Sequence, residues 1–176
     1  MIWESEPWKR QLRRAARRLR RVRRRRRSTE RALAVVEREV FVGCYVVRKL
    51  FDTLKVSDLT KALVCEVTCY ANIEPVTDFN WHRLDQLYDL DNGVTRSLGV
   101  RELCNQVIHS FVFMVGGDGS GIDGVWLSSD RKRDEEVLFV PLEVLIEVFQ
   151  MVGGDHPSMV VWKRDRDTGE VAKSAS

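Results

Sequence analysis

Arg101, Asn105 and His109 recur at steps of four, so on a helix a guanidinium, an amide and an imidazole share one strip. The strip borders an apolar side made of Val100, Leu103, Cys104, Val107, Ile108 and Phe111. Arg clamps a phosphate with its planar donor fork, and His exchanges protons near neutrality. RNA carries its own nucleophile, the 2′-hydroxyl, so a positioned base and a cation could suffice for metal-independent cleavage. In that chemistry Arg101 is the phosphate clamp, His109 the general acid/base, and Asn105 orients one of them. The plainer reading is structural: a border Arg or Asn commonly bonds backbone or a carboxylate, and a lone helical His commonly packs.

A second concentration of chemistry lies at the N-terminus. Thirteen of the first 27 residues are basic: Lys9, Arg10, Arg13, Arg14, Arg17, Arg18, Arg20, Arg21, Arg23, Arg24, Arg25, Arg26 and Arg27. Only Glu4 and Glu6 oppose them, and the other 149 residues hold 16 basic against 24 acidic groups. The overall charge of +3 therefore hides a cationic arm on an acidic body. Such segregation points to a polyanionic partner, nucleic acid before membrane and RNA before DNA. The twelve arginines are the expected nucleic-acid contacts, because Arg supplies charge to phosphates without reading bases.

The arm must be positioned, and its apolar residues say how. Trp8, Leu12, Ala15, Leu19 and Val22 repeat at four, three, four and three, the stripe of a basic amphipathic helix over residues 1–28. Arg–Arg repulsion along that helix predicts that it orders on a partner or on the body's own acidic surface. A membrane surface is a third bed for it, though two alanines make the apolar face thin. No long uncharged apolar run exists, so no stable membrane insertion is expected, and the absence of a leader pattern predicts a cytoplasmic protein.

From Glu30, the residues Leu33, Val36, Val40, Cys44, Val47, Phe51 and Leu54 form one stripe, predicting a long core helix to about Lys55. Leu63–Tyr70 is β-branched and alternating, a strand. Asn80 is placed to cap a helix through Leu90, and Ser97 one from Leu98 to about Phe113. The glycines between 116 and 121 form a loop, Val125–Ser128 and Val137–Val140 a β-hairpin, and Leu142–Val152 a helix. Met159–Trp162 is a last strand before a polar, mobile tail. The fold class expected is α+β, mostly α: a helical domain over 29–115 built on the long core helix, then a β-hairpin plus helix over 116–164, and a tail over 165–176.

Other chemistry is thinner. Cys44, Cys65, Cys69 and Cys104 sit among apolar residues and read as reduced core thiols, with no metal site and no cofactor expected. Trp81 and Arg83 could stack on a base and touch a phosphate, but read more simply as core and an ion pair. The glycine loop lacks both the ligand alternation of a calcium site and the Lys-Ser/Thr of a phosphate loop.

Residues 30–113 resemble the HEPN-type helical domains of bacterial toxin and phage-defence proteins. The likeness lies in Glu39-Val40-Phe41 with Arg48-Lys49-Leu50 on the long helix, and in Arg101 through Asn105 to His109 on a later one. The resemblance implies an RNase site of Arg101 and His109 at a dimer interface, although seven residues separate the two here, more than in the family's motif. The expected function is thus nucleic-acid binding, RNA above all, with a defence-associated ribonuclease activity as its catalytic form. The alternative is a non-catalytic assembly module, homodimeric or heteromeric, whose arm tethers a complex to nucleic acid or to an acidic protein.

Overall fold

Pro7 in the first turn, Glu6 beside it, and Arg20, Arg21 and Arg23 in the last turn define α1 (Glu6–Arg23), each charge complementing the helix dipole. The computed structural model describes residues 2–24, 29–117, 121–164 and 171–176, and within it α1 is no projecting arm. Leu12, Ala15, Ala16, Leu19 and Val22 are all buried against α2 (Glu30–Phe51) and α6 (Leu142–Gly154). Thr29 opens α2 by accepting a hydrogen bond from the Ala32 amide at 3.2 Å. Ser28, Arg25, Arg26 and Arg27 lie outside the described residues.

Between α2 and α6 run α3 (Asp58–Lys61), β1 (Val64–Ala71), α4 (Leu84–Leu87), β2 (Val94–Gly99), α5 (Val100–Ile108), β3 (Ser110–Gly116), β4 (Gly124–Ser129) and β5 (Glu136–Pro141). The five strands form one antiparallel sheet in the order β2-β1-β5-β4-β3. A separate two-stranded ribbon, β6 (Val160–Arg164) with β7 (Val171–Ala175), ends the chain.

This sheet overturns the expectation of a mostly α fold. The strand predicted over Leu63–Tyr70 is found one residue later, and the hairpin and the helix after it stand where the sequence places them. However, β3 replaces the end of the helix predicted from Leu98 to about Phe113, and β2 runs from unassigned residues into its start. β2 is an edge strand exposed over its first four residues, so no apolar alternation marks it. Gly99 then passes the chain directly into α5, which begins at Val100 rather than at Leu98. β3 reads Ser-Phe-Val-Phe-Met-Val-Gly, a continuous apolar run that extends the helical stripe of α5 by eye and packs on both faces in fact. The predicted helix over 80–90 shrinks to α4, because Asn80 accepts from the Thr77 amide at 2.7 Å and closes a loop turn instead. Val171–Ala175, expected as mobile tail, is β7; residues 165–170 and 118–120 of the glycine loop lie outside the described residues.

Strand alternation sorts the two cores. Val67, Leu98, Val125, Leu127, Leu138 and Val140 face α2, α5 and α6. Val112 and Val137 face the other way, under Val76, Leu84, Leu87 and Tyr88 of the segment joining β1 to β2. The helical layer is tightest where Gly43 of α2 meets Phe149 of α6, since a Cβ there would overlap the Phe149 ring. Gly43→Ala is therefore expected to cost about 1–3 kcal/mol, measured as a lower urea midpoint. Phe149→Leu in the same chain should recover part of that loss.

Candidate nucleic-acid interface

Docking sorts the basic residues of α1 into two sets. The first set is used inside the molecule. Lys9, 1% exposed, donates to the Lys55 carbonyl at 2.6 Å and to the Asp155 carbonyl. Arg13 donates to the Gly153 carbonyl and to Glu6 Oε1 at 2.5 Å. Arg20 reaches Gln150 at 2.9 Å, Arg23 pairs with Glu143, and Arg18 donates to Glu39 Oε1 at 2.8 Å. Arg10 stands 3.8 Å from Glu6.

The second set is Arg14, Arg17, Arg21 and Arg24, all exposed, with no side-chain partner among the described residues. With Arg10 they fall within an arc of about 80°, directly opposite the buried stripe, over about 21 Å of helix. Between Arg10 and Arg24 no acidic residue falls in that arc; Glu6, one turn before Arg10, marks its N-terminal limit.

The neighbouring helix continues it. Arg31, Ala34, Arg38, Val42, Tyr45 and Lys49 are exposed along one face of α2, again with no carboxylate among them. The two faces meet at Glu39, 1% exposed, whose Oε1 accepts from Arg18 and also from Arg38 at 2.6 Å. Lys9 lies by Lys55 beyond the end of α2 while Arg18 lies by Glu39, so the two helices run antiparallel. The α2 face was legible as the side opposite the apolar stripe; it reads as ordinary solvated charge until α1 is laid beside it.

The predicted catalytic strip is divided. Arg101 donates to Asp52 Oδ1 at 2.9 Å and to the Phe51 carbonyl at 3.0 Å, and its guanidinium lies 5.6 Å from the Phe51 ring centre. Asn105 instead accepts from Arg48 Nε at 2.6 Å. His109 ends α5, its amide donating to the Asn105 carbonyl at 3.0 Å, and its side chain is exposed. Asn105 and His109 line a hydrophilic cleft of about 600 Å³ with Arg48, Glu102, Gln106, Arg131 and Lys132 among its walls. Arg101 does not line it. Its cations come from α2 and from the β4–β5 turn, which no spacing within α5 could have announced.

The cysteines are free. A hydrogen bond with Cys104 and burial push the Cys44 thiol well up, and burial pushes Cys65 to about 11, so both are protonated at neutral pH. Trp81 is half-buried in the second core, edge-on to His82.

The hydrogen bond from Arg101, followed by that from Arg48, holds the Asp52 carboxyl below its ordinary 3.8 despite opposing burial. A depressed carboxyl stabilises the fold above its unfolded pKa and loses that contribution as pH falls through the folded value. Wild type should therefore lose more stability than Asp52→Asn as pH falls from about 5 to about 2, followed by urea denaturation. Comparison with protein-family models, with curated proteins and with solved structures finds no match, so the chemistry of these surfaces is read from their own residues.

Proposed function

We propose that this protein binds nucleic acid through the outward faces of α1 and α2, its cations contacting phosphates. One observation carries the reading. Arg14, Arg17, Arg21 and Arg24 share one solvent-facing arc and have no side-chain partner among the described residues. Four like charges at helical spacing repel one another, and a polyanion relieves that repulsion while releasing its own counterions.

The body's acidic excess does not quench the stripe, because the carboxylates nearest α1 (Glu6, Glu39 and Glu143) already hold Arg13, Arg18 and Arg23. A membrane is the poorer partner, since Leu12, Ala15, Leu19 and Val22 of the apolar stripe are buried in the core, leaving Trp8 of that stripe exposed, and no helix of the described residues is long and apolar enough to cross one. The proposal concerns binding rather than cleavage: Arg101 is engaged at Asp52, outside the cleft that holds Asn105 and His109.

Replacing Arg14, Arg17, Arg21 and Arg24 together by Ala removes charge, touches no described contact and favours helix. The variant should keep the wild-type melting temperature and lose most nucleic-acid affinity. Its slope of log K against log salt should be shallower by about 3, as four phosphate contacts disappear. Unchanged affinity and slope would refute the reading.

A further inference from the structure

We infer that Tyr45 is a base-stacking residue, and that the α1–α2 surface takes single strands in preference to duplexes. The inference rests on the binding role proposed for that surface and adds the form of nucleic acid it accepts.

The described contact of the Tyr45 ring is with Lys49 of its own helix. Tyr45 is 48% exposed, on the side of α2 opposite Val36, Val40, Val47 and Leu50. Its hydroxyl has no partner among the described residues, and its ring joins no aromatic pair: Phe41, one turn earlier, packs on Phe113 at 4.7 Å instead. Its near neighbours on the exposed face are Arg38, Val42 and Lys49, and the Lys49 ammonium lies 5.5 Å from the ring centre.

The other well-exposed aromatics stand in different company. Trp3 precedes α1, Trp8 (39% exposed) stands at the start of α1 on the side of its buried stripe rather than of its arginine arc, Phe79 sits in the loop after β1, and Trp162 lies in the terminal ribbon beneath Lys173. Among the described residues, Tyr45 is the exposed aromatic set within a carboxylate-free cationic face.

That composition suits one kind of ligand. Cations along a surface track a phosphate backbone, and an aromatic ring among them stacks on a base whatever its identity. A base offers its face only when it is unpaired and splayed from its neighbours, so a duplex meets the cations but not the ring. The half-exposed Val42 extends the apolar footing beside the ring, and the Lys49 ammonium stands over the ring, a cation–π contact that a stacking base shares or displaces. Stacking demands no particular sugar, so RNA and DNA strands are both accepted at this position.

The test compares a short unstructured pyrimidine strand with a duplex of equal length, both end-labelled, by fluorescence anisotropy at one salt concentration. Wild type should bind the strand more tightly. Tyr45→Ala should lose about 5- to 100-fold on the strand and stay at the wild-type value on the duplex, while Tyr45→Phe keeps both affinities. Tyr45 lies on the helix surface, so equal melting temperatures for all three proteins are expected and checked.

If Tyr45→Ala binds the strand like wild type, or weakens strand and duplex alike, stacking is overturned. The arginine-face reading still stands in that case, provided the four-arginine variant loses affinity. If neither variant changes binding, both fall together.

Discussion

The seating of α1 on the C-terminal end of α6 organises everything on the protein's cationic side. The last carbonyls of a helix have no partner within it, and its dipole leaves negative potential there. Lys9 and Arg13 supply what that end needs, donating to the Asp155 and Gly153 carbonyls. Gly153 makes the approach possible, since a Cβ there would stand 3.0 Å from the Lys9 carbonyl and the Arg13 Cγ. Burial pushes the Lys9 ammonium below its ordinary range, with Asp155 pulling the other way, so this contact carries a desolvation cost that the apolar burial of Leu12 and Leu19 offsets. Asp155 is itself held by Ser57, whose amide and hydroxyl both donate to it at 2.8 Å, tying the start of α3 to the same corner.

Once α1 is fixed there, its rotation is fixed too, and rotation decides which arginines face outward. Leu12, Ala15, Ala16 and Leu19 must point inward. Arg13 and Arg20 then fall on the flank toward α6 and Arg18 on the flank toward α2, each meeting an acceptor. Arg14, Arg17, Arg21 and Arg24 are left on the crest. A buried carboxylate seals the seam with α2: Glu39 Oε1 serves both Arg18 and Arg38, while Oε2 has no partner among the described residues. The outward arginine face is thus the by-product of a packing problem, with charge segregated by the same geometry that builds the core.

The far side of the helical layer shows the same economy around Asp52. Its carboxylate collects Arg48 from its own helix and Arg101 from α5, binding the end of α2 to the start of α5. Arg48 also reaches Asn105. The spacing of Arg101, Asn105 and His109 suggests one working strip, but a helix strip of nine residues spans more than one environment. Arg101 lies over Phe51, whereas His109 lies where α5 gives way to β3 and the cleft opens.

The residue pattern alone determined the amphipathic character of α1, the stripe of α2, the hairpin β4–β5, the face of α6 and the concentration of arginine near the N-terminus, because each is a local repeat of side-chain type. It left β2 and β3 hidden: an exposed edge strand carries no alternation, and a strand with apolar residues on both faces looks like more helix. Only the tertiary structure decided that the cationic helix lies against its own body and which of its arginines face solvent. It alone placed Arg48, rather than Arg101, beside Asn105 and set Tyr45 in a cationic face. Those facts depend on the rotation and approach of elements distant in the chain, and no periodicity within one segment encodes the direction from which another will arrive.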